Sequence, residues 1–486
     1  MFDFVQSALT RRSFMLGAGG LAATATLPYA TYGAKSPAEL NLTAAPARWP
    51  LVGKPHPATD VWAYETRIPG PAIRLQQGEP VRITVKNELP EDTTVHWHGT
   101  RLPNAMDGVP GLTQKPIKPG ESFTYEFTPP DAGTFWYHPH ADSLRQLGRG
   151  LAGALIVEER EPVAVDRDVL WVLTDWRLTS DAQIASGFGN AMDAGMAGRI
   201  GNTVTLNGAI STDETVRAGE RVRLRLVNAA LARIMALQFE GHRPLVVAID
   251  GQPCDPHRPE GDRVLLGPAM RVDVVLDMQG EPGHRYRVVD DFYEGRSYWL
   301  TRLAYEQKAP IRISPLDAPL ALPANPLPQP DLASAERHEL RLQGGMMGGG
   351  MMSGRMMGGG MMGGMGMDMP GMSHRAVWAI NGQSMTGDGH AGMPPLLTVR
   401  RGCSVALTIV NETAWWHPMH LHGHSFRILK RNGSSIPHNL WGDTVLVPPK
   451  ERVEVAFVAD NPGDWMIHCH ITDHQVSGLM AIIRIA

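Results

Sequence analysis

Four His-x-His pairs are the residues best suited to chemistry in this sequence. In an extended strand, residues i and i+2 project from the same face, so each pair presents two imidazoles together. Imidazole is a good copper ligand, and the eight histidines are enough to hold three copper ions with room for dioxygen. One pair alone would carry little weight, but four favour a metal centre over chance. The pairs are His96 and His98, His138 and His140, His420 and His422, and His468 and His470.

Cys469 lies between His468 and His470, so its side chain points to the opposite face of the same strand. A thiolate there can bind a separate copper while its two neighbours bind the cluster. His417 and His474 are its natural partners, which gives the trigonal two-histidine, one-cysteine set of a blue electron-transfer copper. A buried structural cysteine is the alternative. In the first interpretation, the strand backbone connects the two sites.

Three internal repeats would position these side chains. In each repeat a Gly stands nine residues before an Asn, and the stretch between them alternates as a half-buried strand does. Frequent Gly and Pro and scarce aromatic residues fit short strands and turns better than long helices. We therefore predict an all-β fold of three Greek-key β-sandwiches. The pairs are Gly78 and Asn87, Gly219 and Asn228, and Gly402 and Asn411.

The repeats and two linkers, near residues 160–165 and 310–335, set the predicted domain boundaries. The first sandwich spans 36–162 and the third spans 316–486, and both carry histidine pairs. The middle sandwich at 163–315 has none, so we expect it to bind no copper.

A methionine-rich segment at 346–372 has 12 methionines among its 27 residues, with Gly-rich spacers between Met pairs. So much glycine cannot hold a packed core, which predicts a mobile loop. We expect it to precede the third sandwich proper, which would begin near Val377.

The first 35 residues are predicted to be an export signal. Arg11 and Arg12 precede an apolar, Gly/Ala-rich run at 16–27, as in twin-arginine signals, although a chance Arg pair before a buried helix is the alternative. We expect cleavage between Ala30 and Lys35 and a periplasmic destination.

Bulk composition excludes several classes of protein. A net charge of −4 shows no bias towards nucleic acid or an anionic membrane, and we see no uncharged apolar run long enough to span one. Three cysteines do not make a disulfide scaffold. We expect Cys254 and Cys403 to be free, buried thiols.

Four segments resemble the copper motifs of the multicopper oxidases, a family of laccases, ascorbate oxidase and bacterial cuprous oxidases. They are HWHG at 96–99, WYHPH at 136–140, HPMHLHGHSF at 417–426 and HCHITDH at 468–474. The resemblance covers the chain after the signal. It implies cupredoxin-like sandwiches, four coppers per chain and a cluster between the first and third domains. By this resemblance, type 2 copper is bound by His96 and His420; the type 3 pair by His98, His138, His140, His422, His468 and His470; and type 1 copper by His417, Cys469 and His474.

The methionine-rich segment and the export signal together resemble the periplasmic cuprous oxidases of bacterial copper resistance. Soft thioethers prefer Cu(I), so the segment is interpreted as a flexible Cu(I)-gathering loop. A Gly-rich linker with incidental methionines is the alternative.

Two acidic residues are candidate catalytic groups by the same resemblance. Asp107 matches a family acid near the cluster and is the candidate proton relay, with a turn-capping Asp as the alternative. Asp443 resembles an acid of a substrate copper site, but Val445 stands where those oxidases tend to have Met, so that site cannot be a copy. Gln475 replaces the acid that usually follows the second type 1 histidine, which departs from the family's proton route.

The axial position of the type 1 copper falls on Leu479, ten residues after Cys469. Leucine has no donor atom, so we expect a three-coordinate copper with a raised reduction potential. Met480 is the alternative axial ligand if the loop shifts by one residue.

These observations predict a periplasmic, monomeric oxidase that takes electrons one at a time from Cu(I), phenols or aromatic amines. Four such oxidations would reduce one dioxygen to water, and copper tolerance is the expected role. A general laccase without metal specificity and a copper-buffering protein with incidental oxidase activity are the alternatives. No nucleic-acid partner and no stable membrane insertion are expected.

Overall fold

The computed structural model describes residues 37–210, 213–314, 316, 320–346, 376–387, 390 and 392–486. Strands dominate these residues, which confirms the all-β prediction. The predicted export signal at 1–35 and all of the methionine-rich segment except Met346 lie outside the described residues. Among the described residues, no helix has the length and apolar character of a membrane-spanning segment.

Residues 38–158 form two four-stranded sheets and one short helix. Their elements are β1 (Ala38–Trp49), β2 (Thr59–Tyr64), β3 (Gly70–Gln76), β4 (Val81–Asn87), β5 (His96–His98), a 3-10 turn (Asn104–Met106), β6 (Ser122–Phe127), β7 (Gly133–His138), α1 (Ser143–Gly148) and β8 (Gly153–Glu158). The sheet orders are β2-β1-β4-β6 and β3-β8-β7-β5. Strands β5 and β7 pair with His96 opposite His138, which brings the first two histidine pairs together.

Residues 167–305 form a six-stranded and a five-stranded sheet. Their elements are β9 (Arg167–Trp176), α2 (Ala191–Gly195), β10 (Thr203–Leu206), β11 (Asp213–Val216), β12 (Arg221–Asn228), β13 (Met235–Phe239), β14 (Leu245–Ile249), β15 (Gln252–His257), a 3-10 turn (Glu260–Asp262), β16 (Arg263–Leu266), β17 (Arg271–Asp277), β18 (Arg285–Asp290) and β19 (Tyr298–Tyr305). The sheet orders are β10-β9-β12-β17-β14-β15 and β11-β19-β18-β13-β16. Strand β12 buries three arginines among its eight residues.

Residues 336–485 form the last group of sheets. Their elements are β20 (Glu336–Gly344), β21 (Trp378–Ile380), β22 (Met385–Thr386), β23 (Leu397–Val399), β24 (Ser404–Asn411), β25 (His417–Leu421), β26 (Phe426–Arg431), β27 (Ser434–Ser435), β28 (Trp441–Gly442), β29 (Thr444–Val447), β30 (Arg452–Val458), β31 (Gly463–Cys469), α3 (Thr472–Val476), β32 (Ser477–Gly478) and β33 (Met480–Ile485). The main sheet orders are β21-β20-β24-β30-β26-β27, with β28 paired to β26, and β23-β33-β31-β25-β29. The boundaries predicted at 162 and 315 fall between the three groups and stay a prediction.

The predicted internal repeat corresponds to one recurring strand arrangement. Strands β4, β12 and β24 each have a parallel neighbour on one side and an antiparallel neighbour on the other. The Asn that ends each of them makes the same contacts. Its Oδ1 accepts a hydrogen bond from the backbone N–H two residues on, and its Nδ2 donates to nearby backbone carbonyls. The repeated Asn therefore fixes the turn that follows each central strand.

Two expectations about the third group are corrected. The third sandwich begins with β20 and not near Val377, because β20 pairs with β24 and β21 within the sheet. Gly344 faces Trp378 in that pairing, so the chain leaves the sheet for the methionine-rich segment and rejoins it at adjacent points.

Cys254 is buried, but Cys403 is only half-buried, because it lies at the surface turn before β24 beside Arg400. Both thiols are free.

Candidate metal centre

Cys469, His417 and His474 converge at one end of the third group of strands. Cys469 Sγ lies 3.5 Å from His417 Nδ1 and 3.7 Å from His474 Nδ1, and the two Nδ1 atoms are 3.2 Å apart. His474 Nε2 donates a hydrogen bond to the carbonyl of Met196 at 2.7 Å, so its Nδ1 lone pair faces the sulfur. All three side chains are fully buried. This donor set fits the trigonal geometry of a type 1 copper.

Burial prepares these side chains for a cation. It lowers the pKa of His474 to about 3 and holds that of His417 well below its usual value, so both imidazoles are neutral ligands. Burial raises the pKa of the Cys469 thiol, which therefore needs a bound metal cation to become a thiolate.

The eight paired histidines form a second buried group between the first and third groups of strands. His420 and His468 face each other on β25 and β31, as His96 and His138 do on β5 and β7. Ring nitrogens approach ring nitrogens across the group: His422 Nε2 lies 3.0 Å from His468 Nε2. The contact between His138 Nε2 and His470 Nε2 is 3.3 Å. The structure thus brings together all eight histidines of the predicted cluster.

The chemistry of this group fits metal ions. Triads drawn from it have ligand atoms within 4.8 Å of one another, among them His140, His422 and His468. Burial is the largest cause that lowers the pKa of seven of these imidazoles, which keeps them in the metal-binding neutral form: His98, His138, His140, His420, His422, His468 and His470. Among the described residues, the following buried nitrogens have no hydrogen-bond partner, and a metal would satisfy them: Nε2 of His96 and His420, Nδ1 of His98 and His470, and both nitrogens of His140.

Asp107 lies within the cluster, as the sequence predicts for a proton relay. Its backbone carbonyl accepts a hydrogen bond from His96 Nδ1 at 2.8 Å, and its Oδ2 lies 2.9 Å from His422 Nδ1. The side chain is 1% exposed, so it is not a solvent-facing turn residue. Its Oδ1 also lies 3.3 Å from His96 Nδ1, so the carboxyl group touches one candidate ligand from each end of the chain.

Asp443 makes the matching contacts from the other side. Its backbone carbonyl accepts from His420 Nδ1 at 2.9 Å, and its Oδ1 lies 3.1 Å from His98 Nε2. The carboxylate is fully buried against the eight-histidine cluster, where its contacts suit a role in orienting two of the histidines. A catalytic role for Asp443 stays a prediction.

Arg271, from β17 of the middle group, anchors Asp443. Its guanidinium donates to both Asp443 carboxylate oxygens and to the backbone carbonyl of Thr134. Burial alone would raise the pKa of Asp443, but the charge and hydrogen bonds of Arg271 outweigh it and hold that pKa well below its usual value. Asp250 accepts hydrogen bonds from the backbone N–H groups of Arg271 and Thr444. Its burial, and to a smaller extent the negative charge of Asp443, raise the pKa of Asp250 to about 7.

The sequence reasoning missed Arg271, Asp250 and Met196. Arg271 and Asp443 are 172 positions apart, and no local motif links them. The sequence offered only a weak indication of this contact. The pattern of β17 is that of a buried strand, yet it contains charged residues, and buried charges require partners.

Strand β31 presents its side chains alternately to the two sites. His468 on one face touches the eight-histidine cluster, and Cys469 on the other face touches His417.

Strand pairing also indicates which residue lies at the axial position of the candidate type 1 site. Met480 lies directly opposite His468 and therefore on the cluster face, whereas Leu479 packs in the same apolar group as Cys469. This supports Leu479 as the axial residue, which stays a prediction.

Parts of two other segments cover the candidate type 1 site. The Trp378 ring lies 4.3 Å from the His474 ring, centroid to centroid, and its Nε1 donates to the carbonyl of Ala194 in α2. Met346, the first residue of the methionine-rich segment, donates its backbone N–H to Gly195 and accepts from Trp415 Nε1. The methionine-rich segment therefore starts directly beside this site.

Comparisons with known proteins agree with this geometry. Three family models, each described as multicopper oxidase, match residues 48–162, 167–299 and 367–486. The multicopper oxidase MmcO of Mycobacterium tuberculosis is 31% identical over 98% of this chain and 96% of its own. Copper resistance protein A of Escherichia coli is 24% identical over 86% of this chain and 88% of its own. The crystal structure of a multi-copper oxidase from Pseudomonas thermotolerans has a TM-score of 0.80 and 34% identity, covering 92% of this chain and 99% of that one.

Proposed function

Since this chain belongs to the multicopper oxidase family, we propose that it oxidises Cu(I), phenols and aromatic amines and passes the electrons to dioxygen. It is an oxidoreductase with cupredoxin-like sandwiches and copper as its cofactor, and four ions per chain are the family's standard complement. We further propose that it is a monomeric periplasmic enzyme that serves copper tolerance and is exported through the twin-arginine signal. A relative named for copper resistance supports this role.

The ligand assignment is part of the proposal. His417, Cys469 and His474 would hold the type 1 copper, and His96 and His420 the type 2 copper. The type 3 pair would be held by two sets: His140, His422 and His468 in one, and His98, His138 and His470 in the other; the short distances within each set support this division. Bound copper supplies one-electron chemistry by cycling between Cu(I) and Cu(II).

The alternation of Cys469, the last residue of β31, with His468 before it and His470 after it is the observation that carries the proposal. One peptide segment thereby connects two sites. The first is suited to receiving single electrons, and the second, the histidine cluster, is suited to binding dioxygen. The chain's own residues then have distinct tasks. Trp378 and Met196 enclose the receiving histidine, and Asp107 would relay protons to the cluster, where reduction of dioxygen to water consumes them.

Cys469→Ser tests that observation. The thiolate is both the blue chromophore and the start of the electron path, so we expect loss of the blue absorption and of oxidase activity, with three coppers retained per chain. Absorption spectra and metal analysis of the loaded variant check this. Retention of the blue colour would assign the type 1 site elsewhere, and a parent protein with one or two coppers would contradict the trinuclear assignment.

Removing the methionine-rich segment tests the substrate. Because Gly344 and Trp378 are paired, residues 347–375 can be replaced by a short Gly-Ser turn without extending either strand. We expect about tenfold lower Cu(I) oxidation with phenol oxidation unchanged or raised, since thioethers gather Cu(I) and the segment starts over the type 1 site. Initial rates with the two substrates decide it.

A matched control keeps the segment's length and replaces its methionines by leucine. It should lose Cu(I) oxidation as the deletion does, without any gain in phenol oxidation. Equal loss of both activities on deletion would make the segment structural, and unchanged rates with both substrates would favour a general laccase. Cu(I) uptake without turnover would favour a copper-buffering protein.

A further inference from the structure

A group of buried methionines lies beside the eight-histidine cluster. Met466 and His468 are two residues apart on β31 and share one face of the strand. Met480 on β33 pairs directly opposite His468. Met385 on β22 packs in the same group as Met466 and Met480, and Met393 borders it. Two buried thioethers, Met466 and Met480, therefore adjoin a candidate copper ligand on the face of β31 away from Cys469, and a third, Met385, packs with them.

A buried histidine, His390, accompanies these thioethers. It stands between Met385 and Met393 in the chain, and its carbonyl accepts a hydrogen bond from the Met393 N–H at 3.4 Å. Its side chain is 1% exposed, and neither ring nitrogen has a hydrogen-bond partner among the described residues. Met393, which donates that hydrogen bond, packs against the group of Met385, Met466 and Met480, so His390 lies at the border of the methionine group.

Core packing alone does not account for this arrangement. A buried imidazole with two unpartnered nitrogens loses its hydration without compensation, and natural cores almost always pair such atoms. The other members of the group are apolar, among them Val109 and Ile482, so they offer no hydrogen bond. A bound metal ion would supply the missing partner, and thioether sulfurs would complete its coordination.

We propose that His390, Met385, Met466 and Met480 form a Cu(I) site separate from the four coppers of the family. Thioether and imidazole ligands together suit Cu(I) rather than a harder ion. All these ligands are neutral and their surroundings are apolar, which favours a monovalent ion because less charge has to be buried. The inference is independent of which substrate the enzyme oxidises.

Cu(I) titration of the reduced, copper-loaded, full-length protein tests the site. The probe is Cu(I) alone, added without oxygen against a chromophoric Cu(I) chelator. The methionine-rich segment contributes equally to the parent and its variants, so the difference between them reports the site. We expect His390→Phe and Met480→Leu each to lose one Cu(I) equivalent. Met235→Leu, which alters a buried methionine of the middle group, should retain it.

A second measurement locates the ion. Crystals exposed to Cu(I) should show an anomalous-scattering peak within bonding distance of the Met480 sulfur in the parent. If His390→Phe fails to fold, Met480→Leu still decides the question, because that exchange nearly conserves volume. Equal Cu(I) uptake by the parent and the folded variants, or no peak at Met480, would overturn the proposal and leave these methionines as core packing.

Discussion

Asp107 and Asp443 hold the two halves of the histidine cluster in the same way but are themselves held differently. Each backbone carbonyl accepts from a histidine proposed for type 2 copper, His96 or His420. Each carboxyl group contacts a proposed type 3 histidine from the other end of the chain. Asp443 is in addition ion-paired with buried Arg271, whereas no described Lys or Arg pairs with Asp107.

This difference in ion pairing leads us to expect different functions for the two carboxyl groups. A carboxylate fixed by a buried guanidinium stays an anion and serves as a rigid support for ligands. Asp107 contacts His96 and His422 and has no arginine or lysine partner among the described residues, so no guanidinium fixes it in this way. We therefore propose a supporting role for Asp443 and a proton-transferring role for Asp107, and the following variants can separate these roles.

Asp443→Asn should have the largest effect. It breaks the ion pair with buried Arg271, which keeps Asp250 as an acidic partner, and it loosens His98 and His420, so copper binding at the cluster should weaken by about ten- to a hundredfold and activity should fall with it. Metal analysis and the electron paramagnetic resonance signal of type 2 copper would measure this loss.

Asp273→Asn is the matched control for that variant. Asp273 is also buried and paired with arginines, Arg223 and Arg225, but no cluster histidine is among its hydrogen-bond partners in the described structure. It should lower Tm while leaving copper content unchanged. Similar copper loss in both variants would mean that the Asp443 effect is only general destabilisation.

Asp107→Ala should have an intermediate effect. Because dioxygen reduction consumes protons, we expect reoxidation of the reduced enzyme to slow by about a hundredfold, with the blue type 1 absorption intact. Stopped-flow mixing with dioxygen measures the rate. Asp107→Glu, which keeps a carboxyl group, should recover part of it, and unchanged reoxidation in the Ala variant would exclude the proton-transfer role.

Leu479→Met should have the smallest effect and should spare both carboxyl groups. A thioether near Cys469 stabilises Cu(II), so the type 1 reduction potential should fall while cluster reoxidation changes little. Met480→Leu is the control and should barely alter the potential, since Met480 faces the cluster side. Redox titration of the blue absorption distinguishes them, and the reverse result would make Met480 the axial ligand.

The sequence predicted the parts of the site that local spacing encodes. His-x-His pairs on strands share a face, and the Gly-to-Asn repeat identified the three sandwiches. Contacts made through tertiary structure could not be predicted in this way. Arg271 reaches Asp443 from another group of strands, and β20 joins its sheet across the methionine-rich segment, and no local motif encodes either contact.

The alternation of ligands along β31 also constrains how this protein can evolve. Inserting or deleting one residue within the strand would turn every later side chain to the opposite face, sending Cys469 towards the cluster and His468 away from it. Both sites would be lost in one mutational step. Substitutions can accumulate here, but the length of β31 is effectively frozen, and neither site can be relocated by engineering without rebuilding the other.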